Sequence, residues 1–130
     1  MSETTDLLAW IAKAEEDYKV AGLALRRKIP LTSSACFHAQ QCVEKYLKAV
    51  LVAKGQPFPK IHDLLLLNDL CTQAGMFLVI APDLLAELSR QAVQARYPGE
   101  DPTPDEAKEA LEIAKSVRLF VRKALGIKGS

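Results

Sequence analysis

The sequence lacks the segments that direct a chain into or across a membrane. Its first ten residues, MSETTDLLAW, have no basic stretch followed by an apolar run, which is the pattern of a signal peptide. The longest apolar run, residues 76–82, is far shorter than the roughly 20 residues that a membrane-spanning helix requires. We therefore expect a cytoplasmic protein that does not interact with a membrane.

Familiar metal and catalytic motifs are also missing. The three cysteines, Cys36, Cys42 and Cys71, form no CxxC pair, and with the two histidines they match no metal-ligand spacing. Because each cysteine lies in or beside an apolar run, we expect reduced, buried thiols and neither a metal nor a cofactor. The sequence has no glycine-rich phosphate loop, no GxSxG and no HExxH, and none of its carboxylates stand out as a catalytic pair.

The composition is that of one globular domain. Hydrophobic residues make up 49% and charged residues 25% of the chain, which is enough apolar surface for a core. A length of 130 residues favours a single domain over 1–130, with its core between about residues 6 and 125. Because the formal net charge is only +1, a site for an anion must be a local cluster of cations.

The segment 36–54, CFHAQQCVEKYLKAVLVAK, is predicted to be the central helix. At about 100° per residue its apolar and polar positions separate onto opposite sides. The apolar side comprises Ala39, Cys42, Val43, Tyr46, Val50 and Ala53. The polar, net-basic side comprises His38, Gln41, Glu44, Lys45 and Lys48. Such a helix cannot bury its apolar side alone, so other helices must pack against it.

Helical periodicity continues through the rest of the chain and predicts an all-α fold. The helices are expected at about 6–28, 32–54, 62–75, 82–95 and 103–125, with Thr32 or Ser33 capping the second and a Thr103–Glu106 capping box opening the fifth. The apolar stretch 76–80, MFLVI, has no second strand to pair with, so we interpret it as a loop or a short helical extension. The sum is an up-and-down bundle of about five helices, four long and one short, with residues 128–130 frayed.

Four polar residues of the central helix form the first candidate site. His38, Gln41, Lys45 and Lys48 are three or four residues apart, so they project from one side of the helix. Their donors and the imidazole suit the oxygens of a phosphate group. The alternative is an ordinary solvated face with an internal Glu44–Lys48 pair.

The second candidate site is the sequence RYPG (96–99) at the end of the fourth helix. A proline turn after the helix would hold the guanidinium of Arg96 in a fixed position, which suits bidentate phosphate binding. Alternatively, Tyr97 packs on the core and Arg96 pairs with Glu100 or Asp101.

Three segments, taken in order, give the chain a family resemblance. They are FHAQQCVEKYLKAVL (37–51), KIHDLLLL (60–67) and ARYPGEDPTPDEA (95–107). Together they resemble the HEPN domain, and the resemblance extends over most of the chain. It implies an α-helical bundle that forms a homodimer. It also implies a minimal nucleotidyltransferase as a partner encoded beside it, often as a toxin–antitoxin pair.

Active members of this family are metal-independent ribonucleases whose arginine and histidine, separated by four to six residues, lie at the dimer interface. The resemblance implies that the arginine steadies a phosphate and that the histidine moves a proton at the ribose 2′-hydroxyl. If Arg96 matches that arginine, the histidine would stand where this chain has Asp101, Pro102 and Thr103.

Three functions therefore stay open. The first is a HEPN module without catalysis that binds a nucleotide, RNA or a nucleotidyltransferase partner through His38, Gln41, Lys45, Lys48, Arg96 and Tyr97. The second is a metal-independent ribonuclease with a rearranged site, in which His38 or His62 acts with Arg96. His62 is otherwise interpreted as a cap at the start of the third helix. The third function is a structural dimerisation module with no ligand.

Overall fold

The computed structural model describes the backbone of residues 3–127 and the side chains of residues 6–127. Within this part the α-helices are α1 (Glu3–Arg26), α2 (Thr32–Ala53), α3 (Leu64–Gln73), α4 (Pro82–Gln94) and α5 (Pro104–Ala124). Residues 3–127 contain no β-strand, so the predicted all-α bundle is confirmed. The predicted fraying of residues 128–130 lies outside the described residues.

The helix α2 lies at the centre of the bundle. It contacts each of the other four helices, and its largest contact is with α1. Tyr46, Leu47 and Leu51 on α2 are completely buried. Burying one leucine of this kind contributes about 1.5–3 kcal/mol to folding. The core of the protein is therefore built around the helix that the sequence marks as central.

The polar side of α2 is not uniformly exposed to solvent, contrary to the expectation of a solvated face. Glu44 and Lys48 are only 2% and 6% exposed, whereas Ala53, predicted on the apolar side, is exposed. The reason is that four helices contact α2, so part of its polar side is also covered. The two buried charges tolerate this packing because Lys48 Nζ lies 3.1 Å from Glu44 Oε2.

The helix ends show which local predictions hold. At α5 the capping box is present, and Thr103 Oγ1 accepts a hydrogen bond from the Glu106 amide at 3.1 Å. At α2 the N-cap residue is Leu31, which provides no side-chain cap, and Ser33 Oγ donates to Asp101 Oδ1 at 2.8 Å. The prediction of a threonine or serine cap is therefore wrong, because Ser33 joins the start of α2 to the α4–α5 loop instead.

The stretch 76–80 forms no strand, as predicted. It follows Gly75, whose φ of 92° is readily adopted only by glycine. Met76 is buried, whereas Phe77 and Val79 are 67% and 86% exposed. The loop therefore packs on the core through Met76 and the partly buried Leu78 and Ile80, and it leaves Phe77 and Val79 on the surface.

All three cysteines are free and buried, as predicted. Burial raises the pKa of Cys36 to about 11 and that of Cys71 to about 12, and it also raises the pKa of Cys42. The thiols are therefore protonated at neutral pH and poorly suited to act as nucleophiles. Among the described residues no group of three or more potential ligands forms a metal site, and no helix is long and apolar enough to cross a membrane.

Candidate functional site

A carboxylate from α1 joins two of the residues predicted for a phosphate site. Asp17 is 7% exposed, and its Oδ1 lies 2.8 Å from Nδ1 of His38. Its Oδ2 lies 2.5 Å from Nζ of Lys45. His38 and Lys45 are two turns apart on α2, so both reach the same position on α1. The ammonium group of Lys45 is consequently paired within the protein.

The contacts of Asp17 decide which nitrogen of a neutral His38 carries the proton. A carboxylate beside an ammonium group is an acceptor, so it accepts a hydrogen bond from Nδ1–H of His38. Within residues 6–127 the ring forms no other hydrogen bond, and the side chain is 29% exposed. Nε2 of this partly exposed ring is therefore an acceptor without a partner among residues 6–127.

Lys48 lies in a separate, buried cluster. Its Nζ is 3.1 Å from Glu44 and 5.4 Å from the centroid of the Trp10 ring. Nδ1 of His62 lies 3.0 Å from each carboxylate oxygen of Glu44. The cap of α3 is the side chain of Asp63, so the interpretation of His62 as that cap is wrong. The cluster attaches the α2–α3 connection to α2.

Arg96 meets the central helix through an aromatic ring. Its guanidinium carbon lies 5.4 Å from the centroid of the Phe37 ring, which is a cation–π contact. Phe37 in turn meets the ring of His38 edge to face, with centroids 5.2 Å apart. The two candidate sites predicted from the sequence therefore meet at Phe37. Nothing in the sequence singled out this residue, because a phenylalanine beside a polar position is most often part of a core.

The other predicted site residues make simpler contacts. Tyr97 is 58% exposed, so it does not pack on the core. The side-chain amide of Gln41 donates to Oε1 of Gln40 at 2.9 Å. Within the part of the chain that the structure describes, Arg96 forms no ion pair with the acidic residues that follow it. The alternative of a packed tyrosine and a paired arginine is therefore wrong.

A groove of about 350 Å³ lies between α1 and the start of α2. Its lining includes three apolar and three polar side chains, namely Val20, Leu23, Leu31, Arg27, Ser34 and His38. Arg27 is exposed and forms no ion pair with another described residue. The sequence alone did not mark Arg27 as functional, because a basic residue at the end of α1 also suits the helix dipole.

A second charged network joins α1, α2 and α5 through Glu15. Its Oε1 accepts hydrogen bonds from Nε of Arg118 at 2.6 Å, from Arg122 at 3.0 Å, and from the hydroxyl of Tyr46. Burial by itself would raise the pKa of Glu15, but the hydrogen bonds from Arg118 and Tyr46 and the arginine charges hold that pKa below its ordinary value. Burial and the hydrogen bond with Glu15 raise the pKa of Tyr46. The network therefore connects three helices.

The sequence matches the model of one known family. A family model described as the HEPN domain matches residues 7–124. The chain belongs to the HEPN domain family. The resemblance expected from the three sequence segments is thus confirmed. No curated protein matches the chain.

Two solved structures resemble this HEPN domain. The crystal structure of TT1696 from Thermus thermophilus is 28% identical, with a TM-score of 0.68, and the match covers 90% of this chain and 96% of that one. The structure of ST0689, described as an archaeal HEPN homologue, is 23% identical with a TM-score of 0.65, covering 94% of this chain and 98% of that one. The second likeness is one of fold alone.

Positions 101–103 have structural roles in this HEPN domain. Asp101 accepts a hydrogen bond from Ser33, Pro102 is buried, and Thr103 caps α5. These are the positions where the resemblance would place a histidine if Arg96 were the arginine of an active ribonuclease. Arg96 and this loop therefore do not provide the arginine and histidine of such a site.

Proposed function

We propose that this HEPN domain binds a phosphorylated ligand, a nucleotide or single-stranded RNA, without cleaving it. The site is the surface formed by Arg96, Phe37 and His38. The observation that carries the proposal is the position of the Arg96 guanidinium, 5.4 Å from the ring that also contacts His38. Tyr97 follows Arg96 in the chain and Gln41 lies about one turn after His38 on α2, and both extend the site.

Arg96 is the cation best placed to bind a phosphate. It is exposed, and the face of Phe37 restrains its planar guanidinium while its N–H groups stay available. Lys45 and Lys48, in contrast, already pair with Asp17 and Glu44. Lys45 thus contributes through Asp17, and Lys48 is not part of the proposed site.

The proposal includes a homodimer and a minimal nucleotidyltransferase partner, as in toxin–antitoxin pairs. Its support is membership of the HEPN family together with large apolar side chains left on the surface, among them Phe77, Val79, Val93 and Leu119. Analytical ultracentrifugation of the purified chain tests the dimer. Copurification with the product of a neighbouring gene tests the partner. A monomer at high concentration that copurifies with nothing would remove this part of the proposal.

Fluorescence anisotropy with a labelled single-stranded RNA tests the binding site. Hydrogen bonds from a charged donor contribute roughly 1.5–3 kcal/mol, so Arg96→Gln is expected to weaken binding about tenfold or more. Arg90→Gln is the matched control, because Arg90 is also exposed but is paired with Glu87. Equal affinities for the Arg96 and Arg90 variants would refute the proposed site.

A ribonuclease with a rearranged site is the second candidate function. The observation that favours it is the Asp17–His38 contact of 2.8 Å, which orients the imidazole as an aspartate orients a general base, with Nε2 left open. The test is RNA cleavage in the presence of a metal chelator, comparing the unmodified protein with His38→Gln. Cleavage that His38→Gln abolishes would establish this function in place of simple binding, and intact RNA in both samples would exclude it.

A further inference from the structure

His38 belongs both to the surface with Arg96 and to the groove between α1 and α2. We propose that this groove holds one ribose-phosphate unit of the ligand, and that Asp17 makes the groove prefer ribose to deoxyribose. The inference rests on the proposed function, because it assumes that the ligand carries phosphate. It adds Asp17, Arg27 and the groove to the residues that the sequence suggested.

The lining of the groove suits a sugar phosphate. Its volume of about 350 Å³ lies at the lower end of the usual range for small-molecule sites. Arg27 provides a guanidinium without an ion-pair partner among the described residues, which suits phosphate oxygens. Leu23 and Leu31 provide an apolar side against which the carbon atoms of the sugar can pack. Cation and apolar surface thus lie together in one concave site.

The preference for ribose follows from the proton on His38. Because Nδ1–H donates to Asp17, Nε2 of the neutral ring presents a lone pair and accepts a hydrogen bond. A phosphate oxygen is an acceptor and cannot donate to Nε2, whereas a hydroxyl group can. In a nucleotide chain the 2′-hydroxyl is the donor that RNA has and DNA lacks. Asp17 is therefore a positioning residue that acts through His38.

The substitution Asp17→Asn is expected to move the proton of the neutral His38 ring from Nδ1 to Nε2. Lys45 lies 2.5 Å from Oδ2 of Asp17, so the carbonyl oxygen of an asparagine is expected on the side of Lys45. The amide nitrogen then faces Nδ1 of His38 and donates to it. Nδ1 becomes the acceptor, Nε2 carries the proton, and the groove no longer accepts a hydrogen bond from a hydroxyl group.

The experiment compares a short single-stranded RNA with the DNA of the same sequence, with deoxyuridine in place of thymidine. One hydrogen bond of this kind is expected to make the unmodified protein bind RNA about threefold to tenfold more tightly than DNA. Asp17→Asn and His38→Gln are both expected to bring this ratio close to one while both nucleic acids still bind. Glu16→Gln is the matched control, since it removes a neighbouring charge on α1 without contacting His38, and it keeps the ratio.

Arg27→Gln tests the phosphate contact in the same groove. It is expected to weaken RNA and DNA binding equally and to reduce the salt dependence of binding by about one phosphate contact. Lys28→Gln, next to it in the chain, is the control and is expected to have a smaller effect. A ratio that falls with Arg27→Gln would contradict its assignment to phosphate.

The outcomes separate this inference from the proposed function. If the unmodified protein binds neither nucleic acid, the proposed function fails. If both bind through Arg96 but with equal affinity, only the inference fails. A ratio that persists in both the Asp17 and His38 variants also overturns it. Thermal unfolding checks that each variant is folded, and because His38→Gln leaves the Asp17–Lys45 pair in place, it tests the inference even if Asp17→Asn unfolds.

Discussion

Two clusters around α2 contain the same three kinds of side chain, a carboxylate, a lysine and a histidine, but we assign them different roles. They are Asp17 with Lys45 and His38, and Glu44 with Lys48 and His62. In both clusters the histidine meets the carboxylate through Nδ1. Residue type alone therefore does not distinguish the cluster that we assign to a ligand from the one that we assign to the core.

Burial distinguishes them. In the Glu44 cluster the carboxylate and the lysine side chains are 3% and 7% exposed, and the histidine is 79% exposed at the surface. In the Asp17 cluster the lysine and histidine side chains are 22% and 29% exposed, and the histidine lines a groove. A buried pair of charges mainly affects stability, whereas a half-buried histidine with one bound nitrogen presents the other nitrogen to a ligand.

The largest expected effect on stability comes from removing the carboxylate of the buried cluster. Glu44→Ala leaves the ammonium of Lys48 buried without its partner, which is expected to cost about 3–5 kcal/mol of unfolding free energy. Urea denaturation measures it. Glu16→Ala, at an exposed carboxylate on α1, is the control and is expected to change the free energy by less than about 0.5 kcal/mol. Similar losses in the two variants would show that the Glu44 pair is not a structural element.

The carboxylate of Glu15 extends the comparison of the two clusters, because its partners are two arginines and a tyrosine and include no histidine. Glu15→Gln is expected to cost roughly 1.5–3 kcal/mol at neutral pH, since it removes the charge that accepts three hydrogen bonds. The pKa of Glu15 is lower in the folded protein than in the unfolded chain, so its stabilisation is present above the unfolded pKa and is lost as pH falls through the folded pKa. The difference in unfolding free energy between the unmodified protein and Glu15→Gln, measured by urea denaturation, is therefore expected to shrink at acid pH. A difference independent of pH would contradict the direction of this shift.

The carboxylate of the half-buried cluster is expected to matter less for folding. Asp17→Asn is expected to lower the unfolding free energy by about 1 kcal/mol, because the asparagine still contacts His38 and Lys45 and both of these side chains reach solvent. Urea denaturation alongside Glu44→Ala measures the order of the two effects. A larger loss for Asp17→Asn than for Glu44→Ala would reverse the roles that we assign to the clusters.

The smallest effect is expected at the exposed histidine. His62→Ala is expected to change the unfolding free energy by less than about 0.5 kcal/mol, because an ion pair with one exposed partner is weak. It is also expected to leave RNA affinity unchanged, whereas His38→Ala weakens it. Anisotropy titrations of the two variants side by side measure this contrast. A loss of RNA binding in His62→Ala would contradict the assignment of the ligand site to the Asp17 cluster.

Much of the fold follows from local sequence signals. The helical periods place all five helices within a few residues of their observed bounds, and the Thr103–Glu106 capping box opens α5 as predicted. These signals work because each depends on neighbours in the chain. The cap of α2 was predicted wrongly because Ser33 has a distant partner, Asp101, that no local pattern indicates.

The candidate site was less predictable because tertiary contacts form it. The sequence selected His38 and Arg96 separately, but their common neighbour Phe37 carries no charge that would single it out. It also placed Lys45 and Lys48 on one solvated face. Packing against α1 gave Lys45 a partner in Asp17. Lys48 forms the pair with Glu44 that their four-residue spacing predicts, but the pair is buried and not solvated. Helical spacing shows which residues share a side, but not which elements cover that side.

The most direct test of the account is the position of the proton on the neutral ring of His38. Long-range ¹⁵N–¹H correlation NMR distinguishes the two ring nitrogens at a pH high enough to neutralise the imidazole, and His62→Ala assigns the signals. We expect the proton on Nδ1 in the unmodified protein and on Nε2 in Asp17→Asn. A proton on Nε2 of the unmodified protein would contradict the central claim that Asp17 leaves this nitrogen open to a ligand.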